Sequence, residues 1–131
     1  MMMLKFFNLT VVMCLMTTCR PLVITTLEAD LFEKTLKQTP DPQLVDVRTY
    51  REYAEGNLPE AILMDIRLPS FDSLICQLDR TRPVFVYCRV GRRSLEAAKI
   101  LEKNKFRIVY NLDGGIVAWK EKDKAVVIVY D

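Results

Sequence analysis

Extended and helical patterns alternate along this chain of 131 residues from about residue 22 onward. Short apolar runs predict strands at residues 44–47, 61–64, 84–87 and 108–111, with a further short strand near Val23. Helical patterns lie between these runs. Because such alternation is typical of parallel strands joined by helices, the sequence predicts an α/β fold. We expect a central parallel sheet of about five strands with helices on both faces.

Local signals place two helix starts and a terminal strand. Thr25 with Glu28, and Thr49 with Glu52, have the spacing of a capping box. They predict helices that begin near residues 27 and 50. The apolar run AVVIVY after Lys124 has β propensity and predicts an additional edge strand.

A cysteine lies between a predicted strand and a predicted helix. In the segment VFVYCRVGRRSLEAAKIL, residues 84–101, a buried apolar run precedes Cys88 and an amphipathic helical pattern follows the loop. The loop turns backbone N–H groups inward, and the helix N-terminus adds a partial positive charge. The thiol should therefore ionise more readily than a free cysteine, whose pKa is about 8.5. The alternative is a buried structural cysteine, a common fate of free thiols.

Three motifs carry a resemblance to a known family. The loop CRVGRRS, residues 88–94, resembles the active-site loop of the rhodanese (sulfurtransferase) family. LVDVRTYREYAEGNLPEA at residues 44–61 and NLDGGIVAWK at residues 111–120 are similar to further elements of that family, in the same order. The resemblance covers roughly residues 22–122 and implies a rhodanese-like fold. Asn57 departs from the family, which often has His there, and this chain contains no His. Proton transfer must then come from water, substrate or another side chain.

The resemblance implies a role for each residue of the loop. Cys88 would be the catalytic nucleophile, attacking the outer sulfur of an anionic donor such as thiosulfate and holding it as a persulfide. We expect Arg93 to bind the anionic end of the donor or the charge of the persulfide. The backbone N–H groups of residues 89–94 would form an anion cradle. The candidate substrate-binding residues are Arg89, Val90, Gly91, Arg92, Arg93 and Ser94. For Arg89 and Arg92, a solvated arginine is the alternative.

Three further residues are expected to support the site without touching substrate. Asp46 and Arg48 are carried over from the resemblance as structural supports. Arg48 and Glu52 have the spacing to pair across one helical turn, and Asp46 would hold the active-site loop. Cys76 should project away from the apolar side of a helix at residues 71–78 and have no chemical role; a resolving thiol is the alternative.

The first residues differ in character from the rest of the chain. Residues 1–18 contain a single charge, Lys5, and an apolar run from Phe6 to Met16. This run is shorter than the about 20 apolar residues of a membrane-spanning helix and has the proportions of a secretory signal peptide. We therefore expect a signal peptide at residues 1–19 and a rhodanese-like domain at residues 20–131. Cys19 is the candidate lipidation site of a lipoprotein signal. The expected location is the bacterial periplasm or a lipid-anchored position at the membrane; the alternative is the cytoplasm.

Composition limits the partners. The formal net charge of +2 is too small to indicate a nucleic-acid partner. The four cysteines include no CxxC and no metal-ligand pairing, so no metal or other cofactor is expected. The expected partners are a small anionic sulfur donor and a thiol or cyanide acceptor, which a partner protein could carry. We expect a monomer.

Three functions compete on this sequence. The first is a sulfurtransferase enzyme of the rhodanese type. The second is a persulfide carrier or binding module that does not turn over small molecules. The third is a phosphatase or arsenate reductase of the related fold, whose cysteine loop is one residue longer. Cys88 to Arg93 spans six residues, the length found in sulfurtransferases.

Overall fold

The computed structural model describes residues 23–130, which form five strands and five α-helices. The predicted signal peptide and Cys19 lie outside these residues. The strands are β1 (Val23–Leu27), β2 (Gln43–Asp46), β3 (Ile62–Leu63), β4 (Val84–Tyr87) and β5 (Ile108–Leu112). The helices are α1 (Ala29–Gln38), α2 (Tyr50–Ala54), α3 (Phe71–Leu74), α4 (Arg92–Lys103) and α5 (Gly115–Glu121). None of the described helices is long and apolar enough to cross a membrane.

The five strands form one parallel sheet in the order β1-β5-β4-β2-β3. This confirms the predicted α/β fold. Strand β4 lies in the middle of the sheet, and all four of its residues are buried. Its carboxyl end, where Cys88 follows, is therefore flanked by the ends of β5 and β2.

Helices cover both faces of the sheet, and the alternation of side chains along the strands sorts the core into two clusters. Val84 and Val86 belong to the cluster beneath α3 and α4, whereas Phe85 and Tyr87 belong to the cluster beneath α1 and α5. The first cluster includes Phe71, Ile75, Ala97 and Leu101; the second includes Phe32, Ile116 and Trp119.

Two helix predictions need correction. Helix α1 is capped by Glu28, whose carboxylate accepts hydrogen bonds from the backbone N–H groups of Asp30 and Leu31. Thr25 lies inside β1, where it pairs with Tyr110 of β5, and therefore it is not the cap. The helix predicted at residues 71–78 is one short α-helix followed by a 3-10 turn at Ile75–Gln77. The capping box of Thr49 and Glu52 is confirmed.

The predicted edge strand in the tail is wrong. The segment after Lys124 makes one isolated antiparallel bridge, between Val127 and Asn57. Asn57 lies in the turn after α2, outside the strands, so the tail crosses a turn and extends neither edge of the sheet. The side-chain amide of Asn57 also donates to the carbonyl oxygens of Tyr53 and Val127. The residue that departs from the family pattern is thus an anchor for the tail.

Candidate active site

Cys88 lies at the carboxyl end of β4 and is buried, with 1% of its surface exposed. The loop that follows is short, because α4 begins at Arg92. Gly91 caps the helix with φ of 98°, a conformation that favours glycine. A Cβ there would lie 3.3 Å from the carbonyl oxygen of Leu112. Glycine thus lets the loop close against the end of β5.

The closed loop surrounds the cysteine sulfur with donors. Sγ accepts a hydrogen bond from the backbone N–H of Gly91 at 3.1 Å and another from Oγ of Ser94 at 3.4 Å. Burial by itself raises the pKa of Cys88 and is the largest single influence. The hydrogen bonds from Ser94, Gly91 and Val90 together outweigh it, so the pKa of Cys88 lies below its usual value. The loop therefore favours a thiolate.

The start of α5 holds the loop from the other side. The backbone N–H of Ile116 donates to the carbonyl of Cys88 at 2.9 Å, and that of Val117 donates to the carbonyl of Arg89 at 3.2 Å. This contact requires Gly115, because a Cβ there would lie 2.4 Å from the carbonyl oxygen of Arg89. The sequence shows the two adjacent glycines, but their role depends on a contact between distant segments.

Asp46 and Arg48 form a buried network with a residue that sequence reasoning missed. Nε and one terminal nitrogen of Arg48 donate to the Asp46 carboxylate at 2.7–3.1 Å. The Tyr87 hydroxyl donates to the same carboxylate at 2.6 Å and accepts from the backbone N–H of Leu58 at 3.0 Å. Arg48 also donates to the carbonyl of Gly56 at 2.7 Å. The network ties the ends of β2 and β4 to the turn after α2.

Arg93 makes a two-bond ion pair with Glu52. Its two terminal nitrogens lie 2.9 and 2.7 Å from the carboxylate oxygens of Glu52. Glu52 also accepts from the backbone and hydroxyl of Thr49. The Arg93 pair, with the Thr49 bonds, lowers the pKa of Glu52 to about 2. The predicted pair of Arg48 with Glu52 is therefore wrong, because the partner of Arg48 is the buried Asp46.

The remaining predicted residues lie on two sides of the loop. Ser94 is fully buried beneath the sulfur, whereas Arg89, Val90 and Arg92 are exposed at the rim. Cys76 is exposed on the short segment after α3, as predicted, and its Sγ contacts the carbonyl of Asp72 at 3.3 Å. The structure thus brings together the Cys88 sulfur, the backbone amide groups of the loop and Ser94. The rim residues Arg89, Val90 and Arg92 are exposed to solvent.

The fold and the loop define an α/β protein with a buried cysteine at the carboxyl edge of its sheet, whose pKa lies below its usual value. The model of the rhodanese-like domain family matches residues 28–122. The chain is 31% identical to a sulfurtransferase from Allochromatium vinosum over 105 residues, which cover 80% of this chain and 96% of that protein. The chain belongs to the rhodanese-like domain family.

Solved structures agree with this assignment. A rhodanese-like domain protein from Staphylococcus aureus is 26% identical, with a TM-score of 0.70, and the match covers 81% of this chain and 99% of that one. The polysulfide-sulfur transferase homodimer from Wolinella succinogenes is 28% identical, with a TM-score of 0.67, and the match covers 79% and 78% of the two chains. Sulfur transfer is therefore the chemistry that the relatives of this chain support.

Proposed function

We propose that the protein is a sulfurtransferase that carries sulfur as a persulfide on Cys88, with thiosulfate as a donor. The Cys88 thiolate attacks the outer sulfur of thiosulfate. An Sγ–S bond forms, the S–S bond of thiosulfate breaks, and its electron pair leaves with sulfite. A thiolate or cyanide then takes the outer sulfur, and Cys88 leaves as a thiolate again.

One observation carries this proposal: the Cys88 sulfur is buried and accepts hydrogen bonds from Gly91 and Ser94. These donors stabilise negative charge on sulfur, in the thiolate and in the persulfide that replaces it. Nucleophile and leaving group are both anions in each step, so no proton has to move. A chain without His can therefore perform this chemistry.

The loop size argues against oxyanion hydrolysis. Six residues from Cys88 to Arg93 close a ring whose Gly91 N–H lies 3.1 Å from Sγ. A phosphoryl group needs donors about 2.7–3.1 Å from its own oxygens, which lie further out than the sulfur. We expect thiosulfate turnover and no meaningful hydrolysis of aryl phosphates.

The test is a thiocyanate assay of the purified protein with thiosulfate and cyanide. We expect Cys88→Ser to reduce turnover to background, because a hydroxyl forms no persulfide, while circular dichroism stays unchanged. Cys76→Ser is the matched control and should retain full activity. Turnover within a few-fold of wild type in Cys88→Ser would refute the proposal.

A mass spectrum separates enzyme from carrier. A sulfur atom on Cys88 that no small acceptor removes would favour a persulfide carrier that delivers to a partner protein. Phosphatase activity that disappears in Cys88→Ser would favour the hydrolase alternative instead.

The proposed location follows from the leader alone. We propose export with cleavage near Cys19, and an intact mass of the protein made in its native host tests this. A mature chain that still begins at Met1 would contradict export, and a cleaved chain without lipid would contradict only the anchor.

A further inference from the structure

The tail after α5 is anchored through its backbone along one side. The N–H and the carbonyl of Val127 are bonded to the carbonyl and the N–H of Asn57, at 2.8 and 2.9 Å. The N–H of Val129 donates to the carbonyl of the last residue of α2 at 3.0 Å, and the carbonyl of Ala125 accepts from the indole of Trp119 at 2.9 Å. Every second residue of the tail thus turns its backbone toward the domain, as in an extended strand.

The residues between these anchors have a free backbone edge. In an extended chain successive residues present their N–H and C=O groups to opposite sides, so Val126, Ile128 and Tyr130 direct these groups away from the domain. Within residues 23–130, none of the three makes a backbone hydrogen bond. Ile128 is 47% exposed and Tyr130 is 85% exposed. The tail therefore presents a row of unpaired donors and acceptors, as the edge strand of a sheet does.

The tail lacks the residues that usually keep such an edge from pairing. Charged side chains and proline are the common means of blocking an edge strand. Residues 125–130, AVVIVY, contain neither. Four consecutive apolar residues are exposed: Val127, Ile128, Val129 and Tyr130. A lipid surface could cover these side chains but could not bond the backbone groups, so the edge fits another strand.

A second copy of the tail is a strand of this kind. In an antiparallel pair centred on Ile128, Ile128 lies opposite its counterpart and Val126 lies opposite the partner's Tyr130. Each opposed pair exchanges two backbone hydrogen bonds, about six in all, which engages every free N–H and carbonyl of the three residues. The opposed side chains are β-branched or aromatic, a combination that stabilises neighbouring strands, and no like charges meet.

We propose that two copies of this chain associate by antiparallel pairing of their tails about a two-fold axis at Ile128. The same residues serve both copies, so the assembly closes at two chains. The anchoring bonds hold each tail extended before association, which reduces the entropy lost on pairing. The contact is small beside the about 800 Å² per partner of a stable interface, so the dimer should be weak and should dissociate on dilution.

Sedimentation velocity of the purified full chain, over about three orders of magnitude in concentration, measures this association. We expect the mean mass to rise from that of a monomer toward that of a dimer and no further. A wild-type chain that stays monomeric would overturn the proposal and confirm the monomer expected from the sequence. Growth beyond two chains would overturn the closed pairing.

A lysine at the axis tests the surface. Ile128→Lys places two like charges opposite each other and should weaken association by about tenfold or more. Ile62→Lys is the matched control, because Ile62 is 49% exposed and lies on the edge strand β3. It should leave association unchanged, and circular dichroism should show both variants folded. Equal association of Ile128→Lys and wild type would overturn the surface.

Disulfide cross-linking tests the register and does not depend on the lysine variants. In the proposed pair the two Cα atoms at position 128 lie about 5.5 Å apart, within the about 4.4–6.8 Å that a disulfide spans. The two Cα atoms at position 130 are about 14 Å apart, since they are offset by four residues at about 3.4 Å each. Under mild oxidation, Ile128→Cys should therefore form a linked dimer and Tyr130→Cys should not.

Mass spectrometry of a tryptic digest identifies the link. The peptide that follows Lys124 contains no native cysteine, so a disulfide between two copies of it reports the tails alone. We expect this linked peptide only from Ile128→Cys. Its absence there, or an equal yield from Tyr130→Cys, would overturn the pairing. None of these measurements depends on sulfur transfer at Cys88.

Discussion

At the scale of single residues, burial and hydrogen bonding act on Cys88 in opposite directions. Removal from water disfavours the thiolate, whereas the donors of the loop favour it, and the net effect lowers the pKa of Cys88. The hydroxyl of Ser94 is the largest of the favourable influences. Ser94 is therefore a positioning residue that acts through the sulfur.

This balance predicts the pH dependence of Cys88 alkylation. The rate with iodoacetamide, followed at the Cys88 peptide, should have its pH midpoint below that of a free cysteine. Ser94→Ala should move the midpoint upward, because one donor to the thiolate is lost. The exposed Cys76 serves as an internal reference in the same digest. A midpoint unchanged by Ser94→Ala would show that the hydroxyl does not stabilise the thiolate.

The Glu52 pair with Arg93 predicts a pH dependence of stability. The pKa of Glu52 in the folded protein, about 2, lies below the ordinary glutamate value of 4.5. The pair therefore contributes stability above about pH 4.5, and this contribution is lost as the pH falls toward about 2. Glu52→Gln should lower the free energy of unfolding at neutral pH by about 1–2 kcal/mol, after allowance for partial exposure.

Denaturant unfolding from pH 6 to pH 2.5 checks this, with Glu55→Gln, at the C-cap of α2, as the control. Wild type and Glu52→Gln should converge in stability at the acid end, whereas Glu55→Gln should follow wild type throughout. Parallel curves for wild type and Glu52→Gln would contradict the assignment.

At the scale of elements, the contact of α5 with the Cys88 loop joins two segments through their backbones. Gly115 is at φ of 57°, and a Cβ there would strike the carbonyls of Cys88 and Arg89. The two hydrogen bonds of this contact are made by backbone groups, and position 115 has no room for a side chain.

We expect Gly115→Ala to push the loop away from α5 and to abolish most sulfur transfer. The strain should also cost about 1–3 kcal/mol of stability. Asp113→Ala is the control in the same turn, because its side chain is exposed and only its backbone N–H is bonded, to the carbonyl of Leu27. Thiocyanate assays and thermal unfolding of both variants test the point. Normal activity in Gly115→Ala would show that the loop tolerates displacement.

At the scale of the whole molecule, the tail fastens elements that are far apart in sequence. Lys124 binds Asp30 at 2.9 Å, the carbonyl of Ala125 accepts from Nε1 of Trp119 at 2.9 Å, and the N–H of Val129 donates to Ala54 at 3.0 Å. The tail thus joins α1, α5 and α2 on one face of the sheet without joining the sheet.

Truncation after Asp123 should therefore lower the melting temperature, by about 4–8 °C for each kcal/mol lost. Thiosulfate turnover at 20 °C should remain, because the tail contacts none of the residues around the sulfur. Truncation after Val129 is the control, since it removes two residues, Asp131 and Tyr130, of which Tyr130 is 85% exposed. Equal melting temperatures for both truncations would show that the tail contributes no stability.

The sequence predicts what depends on local pattern and misses what depends on distant partners. Cys88 and Asp46 could be placed at one edge of the sheet because strand ends follow from apolar runs. The pairing of Arg93 with Glu52 could not be predicted, because the two residues are 41 positions apart in the sequence. Arg48 lies much nearer to Glu52 and has the spacing for the same pairing. The hydrogen bond of Tyr87 to Asp46 could not be predicted either. It depends on the pairing of β4 with β2, which places the Tyr87 hydroxyl beside the Asp46 carboxylate.

The backbone N–H groups around the Cys88 sulfur affect how the sequence of such a protein can change in evolution. Apart from the Ser94 hydroxyl, the groups that stabilise charge on the sulfur are backbone N–H groups, which every residue type except proline supplies. The outward side chains at positions 89, 90 and 92 can therefore be exchanged over evolutionary time without dismantling the reactive centre. New preferences for donor or acceptor can arise by point mutation at the rim while the inherited chemistry is kept.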